Sequence, residues 1–321
     1  MCIRDRFRVG EEVLSAAFEK FAPEGYAVTQ APYPIISYKQ AMLEFGCDKP
    51  DLRNPLRIID VTDFFQKCTF KPFVGRTVRA IKVHAEMSKG FHEKLLKFAT
   101  DMGMGGLGYL EVAEDMTYKG PIDKFIPDEL KGQLARIASL AAGDTIFFIA
   151  DKEERANYYA GQLRNELGDK LDLCEKNAYR FCYVNDFPMY EIGEESGELE
   201  FCHNPFSMPQ GGMDALNNQD PLDILAYQYD LVCNGVELSS GAVRNHDPEI
   251  MIKAFELVGL GEDDVKAKFP AMYNAFCYGA PPHAGIAPGV DRMIMLICGE
   301  ESIREICLLY TSDAADEARS V

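Results

Sequence analysis

Tyr227-Gln-Tyr-Asp-Leu-Val-Cys-Asn-Gly-Val-Glu-Leu238 is the stretch that decides the fold. Two strand-like runs flank Asn234-Gly235, a dipeptide that favours a two-residue type I′ turn with positive φ at both positions. An antiparallel hairpin follows, and with it a sheet built from hairpins. The turn also sets the register: Cys233 faces Val236 and Val232 faces Glu237. Asp230 lies two residues from Val232, so it shares a face with Glu237, and diagonal neighbours sit about 7–8 Å apart. Two carboxylates on one side of a mainly apolar sheet suit Mg²⁺ carrying nucleotide phosphates. Two solvated carboxylates on an open face are the plainer alternative.

Downstream, Ser239-Ser-Gly-Ala-Val-Arg244 places an arginine after a run of small residues that lets backbone approach a ligand closely. Arg244 is a candidate bidentate clamp for a carboxylate; a rim arginine paired with Glu249 is the alternative. Gly285-Ile-Ala-Pro-Gly-Val-Asp-Arg-Met-Ile-Met-Leu296 runs from a glycine- and proline-bearing turn into an apolar helix with Arg292 in its first turn. Free N–H groups and the positive dipole end suit a phosphate there, and a guanidinium adds a charged fork. A capped core helix with a surface arginine explains the same spacing. Upstream, Phe201-Cys-His-Asn-Pro-Phe-Ser-Met-Pro-Gln-Gly-Gly212 ends a strand in a punctuated loop. His203 stands where strand becomes loop, a common place for a functional side chain. His84, His92, His246 and His283 show no metal-ligand spacing and read as structural.

Working back to the N-terminus, Leu14, Ala17, Phe18 and Phe21 keep helical spacing, and Pro23 closes that helix. Ser37-Tyr-Lys-Gln40 reads as a capping box opening a short helix that stops at Gly46. From about Phe70 the character changes to an αβ alternation. Thr77–Val83 reads as a strand, Phe91–Met102 as a helix and Gly108–Val112 as a strand. Pro127–Ala141 reads as a helix, Thr145–Ala150 as a buried strand, and a helix capped by Asp151-Lys-Glu-Glu154 ends near Gly168. After it, Tyr179–Val184 and Glu198–His203 are expected in a mainly antiparallel sheet. Gly103-Met-Gly-Gly-Leu-Gly108 matches G-x-G-x-x-G, but a dinucleotide fingerprint needs a strand before it and a helix after it. The order here is reversed, and we reject the match. Lys67, Lys71, Arg76, Arg79 and Lys82 read as a solvated strand face.

With 321 residues, 47% of them hydrophobic, the chain can build one large domain or two ordinary ones. No apolar run reaches the roughly 18 residues of a spanning helix, and no secretory signal pattern opens the chain. Ten cysteines without a C-x-x-C pair argue against a zinc ribbon or a redox motif and for a reduced, cytoplasmic protein. A net charge of −18 speaks against a general nucleic-acid binder but leaves room for a local basic groove.

The segments D-K-P-D-L-R (from Asp48), D-F-P-M-Y (from Asp186), H-N-P-F-S-M-P (from His203), Y-D-L-V-x-N-G-x-E-L-x-x-G-x-x-R (from Tyr229) and G-x-x-x-G-V-D-R (from Gly285) occur in one order. That order resembles bacterial-type aspartyl-tRNA synthetases, and the last segment resembles motif 3 of the class II enzymes. The resemblance implies an α+β fold: an antiparallel class II sheet flanked by helices, with an inserted α/β GAD domain. The implied division is 7–69 and 173–306 for the catalytic domain and 70–172 for the insertion. It implies that Glu237 and Asp230 hold Mg²⁺–ATP. Arg292 would contact the ATP phosphates, with Gly289, Val290 and Asp291 shaping that site. Arg244 would recognise the side-chain carboxylate of L-aspartate, and His203 would contact the aspartate. The implied chemistry is activation of aspartate to aspartyl-adenylate and transfer to the 3′ end of tRNA-Asp, with positioning and charge stabilisation by Arg292 and Mg²⁺. A homodimer is implied for the full-length enzyme, and no membrane partner.

The chain departs from the family pattern in two ways. Many relatives carry two histidines where this chain has His203-Asn204, which leaves open whether tRNA-Asn is charged as well. The family's anticodon-binding domain and motifs 1 and 2 should precede Phe7 and are not in the sequence. We therefore expect the 321-residue chain alone not to activate aspartate. The ends 1–6 and 307–321 resemble translated sequencing-adapter strands and are expected to be foreign to the fold. A non-catalytic, GAD-containing tRNA-binding paralogue is the reading from another functional class.

Overall fold

A computed structural model describes residues 3–193 and 195–306. The expected foreign tail 307–321 lies outside them, as do Met1 and Cys2. Ile3–Arg6, from the other stretch expected to be foreign, continues the first helix, and the Arg6 guanidinium lies 4.2 Å from the Tyr229 ring centroid.

The first elements are α1 (Ile3–Phe21), β1 (Ala27–Val28), β2 (Ile35–Ser37) and α2 (Tyr38–Phe45). Next come β3 (Ile58–Asp60), α3 (Thr62–Phe65), β4 (Thr77–His84), α4 (Lys89–Asp101), β5 (Gly108–Val112) and β6 (Tyr118–Lys119). Then follow α5 (Asp128–Ile137), β7 (Asp144–Asp151), α6 (Glu153–Lys170), β8 (Ala178–Tyr179), β9 (Phe181–Asn185), β10 (Tyr190–Ile192) and β11 (Leu199–Phe201). The last are α7 (Gly212–Asn218), β12 (Gln228–Cys233), β13 (Val236–Arg244), α8 (Pro248–Glu256), α9 (Glu262–Lys268), α10 (Pro270–Cys277), β14 (His283–Pro288) and α11 (Val290–Cys298). These elements fall into two units: Gln40–Lys176, and the described residues of Met1–Lys39 with Asn177–Val321.

In the inserted unit the strand order is β3-β4-β7-β5-β6 and every pairing is antiparallel. The αβ alternation does not give a parallel sheet, because the β4-α4-β5 crossover leaves one strand position vacant. β7 fills it, antiparallel to both neighbours, a split βαβ arrangement. Helices cover both faces, which explains the unbroken apolar run of β7. Val78, Ala80, Ile146 and Phe148 pack with Phe64, Phe65 and Leu134 on one side. Ile81, Val83, Phe147 and Ile149 pack with Leu95, Leu163 and Leu167 on the other.

The unit opens at Gln40, ahead of the expected 70, for two reasons. The three-residue strand β3 pairs with β4. Arg164 on α6 donates to the carbonyls of Asp51, Asn54 and Leu56 at 2.8 Å each. Arg79 also corrects its sequence reading. It is 2% exposed, not solvated, and bonds Asn157 at 2.7 Å and Asp60 at 2.8 Å. The expected cap of α6 is corrected too: Lys152 holds the N-cap position without a side-chain cap.

In the first unit the sheet runs β14-β13-β12-β9-β2, antiparallel except for the β2–β9 pair. Glu198–His203 does not join it: among the described residues β11 pairs with β10, in a separate ribbon. One sheet face, with Phe181, Tyr183, Tyr229, Leu231 and Cys233, packs on Leu14 and Phe18 of α1, and Met293, Leu296 and Ile297 of α11 join that cluster. The hairpin turn has φ of +53° at Asn234 and +81° at Gly235, as the type I′ geometry requires. Asn234 is pinned beyond the turn. Its Oδ1 accepts from the Arg180 N–H and its Nδ2 donates to the Ala178 carbonyl, both at 2.9 Å.

Candidate active site

The register predicted from the turn is observed: Cys233 faces Val236 and Val232 faces Glu237. One residue further on the ladder breaks step. Leu231 pairs with Ser239 and Asp230 with Ser240, so Leu238 is an extra residue, a β-bulge. Its consequence is a change of phase, because side chains alternate with period two. Without the bulge, Arg244 would sit on the opposite face from Glu237. With it, Gln228, Asp230 and Val232 of β12 share a face with Glu237, Ser240, Ala242 and Arg244 of β13. Ala287, Gly285 and His283 of β14 extend that face. It is the face turned away from the α1 core. Gly241 keeps the strands close on the core side: a Cβ there would collide with the Gly285 carbonyl and the Tyr229 ring.

Asp230 is 4% exposed in the middle of this face, and Glu237 is half-buried at its end. α11 starts beside Glu237. Its N-cap, Gly289, donates its N–H to the Leu238 carbonyl at 2.7 Å. Arg292 Nη1 then donates to the Glu237 carbonyl at 2.6 Å and lies 3.3 Å from Glu237 Oε1. The carboxylate and the guanidinium hold each other in place at a helix N-terminus. Val290 and Asp291 form the exposed first turn of the same helix.

Arg244 stands at the far end of β13. No hydrogen bond or ion pair of its side chain occurs among the described residues, so the expected alternative, a pair with Glu249, is not formed. It lines a cavity of about 350 Å³ with Phe206, Asn245, Met272, Phe276, His283 and Gly285. The loop that carries His203 closes on it. Ser207 bridges Arg244, flanked by Met208 N–H to Val243 and Asn245 N–H to Phe206 at 2.8 Å each. That makes Ser207 and Arg244 a non-hydrogen-bonded antiparallel pair, the closer kind of side-chain neighbours. Ser207 Oγ is fully buried without a partner among the described residues. His203 itself is exposed, with its ring edge-on to Phe187 at 4.9 Å. Asn204 folds the loop instead: its Oδ1 accepts from the Phe206 N–H at 2.9 Å and its own N–H donates to Gln228 Oε1 at 3.3 Å.

Sequence reasoning missed His283. It pairs directly with Arg244 across the β13–β14 ladder and lines the same cavity. Its signal lay in register and not in spacing. His84 and His92 fit the structural reading, bonded to Asp144 and Glu111 at 2.9 Å. Among the described residues no group of three or more His, Cys, Asp or Glu could hold a metal by itself. No helix there is long and apolar enough to cross a membrane.

Comparison with known proteins shows the family of the chain. The profile described as tRNA synthetases class II (D, K and N) matches residues 4–312. The aspartate–tRNA(Asp/Asn) ligase of Gluconobacter oxydans is 49% identical over 98% of this chain and 53% of its own length. The aspartate–tRNA ligase of Streptomyces coelicolor is 50% identical over 94% of this chain and 51% of its own. An aspartyl tRNA synthetase structure from Entamoeba histolytica aligns at 21% identity and a TM-score of 0.32, over 73% of this chain and 42% of that one. The chain thus spans about half the length of the curated relatives it matches. An α+β fold with antiparallel sheets flanked by helices, the ordered motifs and the profile match lead to one assignment: the chain belongs to the class II tRNA synthetases of the D, K and N group.

Proposed function

We propose that this chain carries the amino-acid-activating site of an aspartate–tRNA ligase. The observation that carries the reading is Arg244: a guanidinium without an internal anion, facing a cavity on the same sheet face as Asp230 and Glu237. Its ligand is the side-chain carboxylate of L-aspartate. Asparagine would leave the guanidinium unpaired, at a cost on the order of several kcal/mol. His203, on the loop that closes over the cavity, contacts the aspartate.

Arg292, now paired with Glu237, exchanges that partner for ATP phosphates, with Gly289, Val290 and Asp291 shaping the pocket. Asp230 and Glu237 fit Mg²⁺, since two carboxylates plus substrate phosphates make a sufficient oxygen set. The metal's contribution is to neutralise phosphate charge. The α-carboxylate of aspartate attacks the α-phosphorus of ATP, giving aspartyl-adenylate and pyrophosphate. The terminal ribose hydroxyl of tRNA then takes the aspartyl group and releases AMP. The protein supplies position and charge rather than a nucleophile.

The tRNA is tRNA-Asp. A second reading adds tRNA-Asn, favoured by the name of the Gluconobacter oxydans relative, an aspartate–tRNA(Asp/Asn) ligase. The inserted unit is assigned as the GAD-type domain, and the full-length enzyme as a cytoplasmic homodimer. Ten cysteines without a C-x-x-C pair suit a reducing compartment.

The test is a chimera in which this chain replaces the matching part of the Gluconobacter oxydans ligase. Aspartate-dependent exchange of pyrophosphate into ATP is expected, with Arg244→Ala lowering it by about a thousandfold or more. A chimera that folds yet exchanges equally well with Arg244→Ala overturns the reading.

A further inference from the structure

We infer that His283 is the second partner of the carboxylate held at Arg244, and that its imidazole takes up a proton as the acidic ligand binds. This rests on the aspartate reading proposed above. Three observations lead to it. His283 and Arg244 are directly opposed on adjacent strands and point to one face, where opposed Cβ atoms lie about 4.5–5.5 Å apart. Both line the same cavity, whose other walls are the apolar side chains of Phe206, Met272 and Phe276, with Asn245 and Gly285. His283 Nδ1 lies 2.9 Å from the Pro281 carbonyl oxygen.

The last contact fixes the chemistry. A carbonyl oxygen only accepts, so Nδ1 must carry a hydrogen and donate it. Nε2 is then the ring atom left for a ligand. In the neutral ring it offers a lone pair, which repels a carboxylate. In the protonated ring it offers an N–H, which forms a charge-assisted hydrogen bond. A carboxylate has two oxygens and room for both partners: the Arg244 fork on one side and the His283 N–H on the other. Phe206, Met272 and Phe276 wall the cavity, while His283 stands at its exposed rim, so solvent screens part of that pairing.

Other groups could take the proton, and each has a place. Arg244 on β13 is permanently charged. Tyr273 and Cys277 sit on α10, and His203 on the loop, but none of the three lines the cavity. His246 Nδ1 is 3.4 Å from the Arg244 carbonyl oxygen and does not line it either. Among the described residues no carboxylate lines the cavity to substitute for the ligand. The amide of asparagine would draw no proton.

Calorimetric titration of the 321-residue chain with L-aspartate, in buffers of different ionisation enthalpy near neutral pH, tests the inference. Uptake of up to about one proton per aspartate is expected. His283→Asn keeps a donor for the Pro281 carbonyl and removes Nε2. It is expected to abolish the uptake and weaken binding about tenfold. His283→Gln, which retains a donor near Nε2, should recover part of the affinity without proton uptake. Unchanged uptake in His283→Asn, or its loss in His246→Asn instead, overturns the assignment. Binding that needs Arg244 but ignores both His283 variants sinks this inference alone. Failure of the wild-type chain to bind aspartate overturns it together with the aspartate reading for this chain.

Discussion

Arg164 in the inserted unit and Arg244 in the other illustrate two uses of the same side chain. Arg164 is 1% exposed, and its guanidinium is consumed by the carbonyls of Asp51, Asn54 and Leu56. Burial, with the charge of Arg57 nearby, pulls its pKa down to about 10. Arg79 follows the same pattern with Asn157 and Asp60. Arg244 is less buried and keeps its donors unspent. An arginine that ties a loop to a helix spends most of its donors on acceptors inside the chain. Arg244 has the space and the charge but no acceptor among the described residues. Burial alone does not separate the two uses; the partner inventory does.

Four perturbations bear on this contrast. The largest effect is expected from deleting Leu238. Restoring a regular β12–β13 ladder would turn Arg244 toward the core face that carries Tyr229 and Leu231. Loss of about 5 kcal/mol or more, an unfolded first unit, is the expected outcome. A retained near-ultraviolet circular dichroism spectrum would show that the bulge does not set the phase. Arg164→Met comes next. It removes the three hydrogen bonds to the Asp51, Asn54 and Leu56 carbonyls, of which Arg57 still reaches the last two, and is expected to cost about 3–5 kcal/mol in denaturant unfolding.

Arg244→Met should change stability by less than about 1 kcal/mol while eliminating aspartate binding in calorimetry. Equal stability losses for Arg164→Met and Arg244→Met would erase the distinction. The smallest effect concerns alkaline pH. Burial raises the phenols of Tyr33 and Tyr229 to about 12, and pushes Tyr183 up as well. Between pH 10 and 12 the folded state keeps protons that the unfolded chain releases, so stability falls across that window, and Tyr183 carries the fall beyond it. Tyr33→Phe should make the decline in thermal midpoint shallower by roughly one proton's contribution.

How much was legible follows from the range of each signal. The type I′ turn, the register of Val232 with Glu237 and the helix after Gly289 are local, and turn chemistry states them directly. The placement of Asp230 with Glu237 followed from that register. The bulge at Leu238 was not legible, because nothing in Glu237-Leu-Ser-Ser240 marks which residue is skipped. Arg244 was therefore picked by residue type and neighbours, while its face remained open. His283 escaped because its meaning comes from a partner strand 39 positions away, as the register of Arg244 with His283 dictates. In the inserted unit the buried state of Arg79 depends on Asn157 and Asp60, residues distant in sequence. A strand of three residues, such as β3, is too short to leave a period, so the unit's opening at Gln40 was invisible too.

The pinned turn has a bearing on how long the molecule lasts. Asn-Gly is the sequence at which a flexible chain ages fastest, because the glycine nitrogen can attack the asparagine side-chain carbonyl and close a succinimide. At Asn234 that carbonyl is engaged by the Arg180 N–H and the amide nitrogen by the Ala178 carbonyl. The ring-closing geometry is denied for as long as the hairpin is folded. Chemical ageing at this site becomes a clock that runs only in unfolded molecules, and peptide mass mapping of aged samples would read from it how much time the hairpin has spent open.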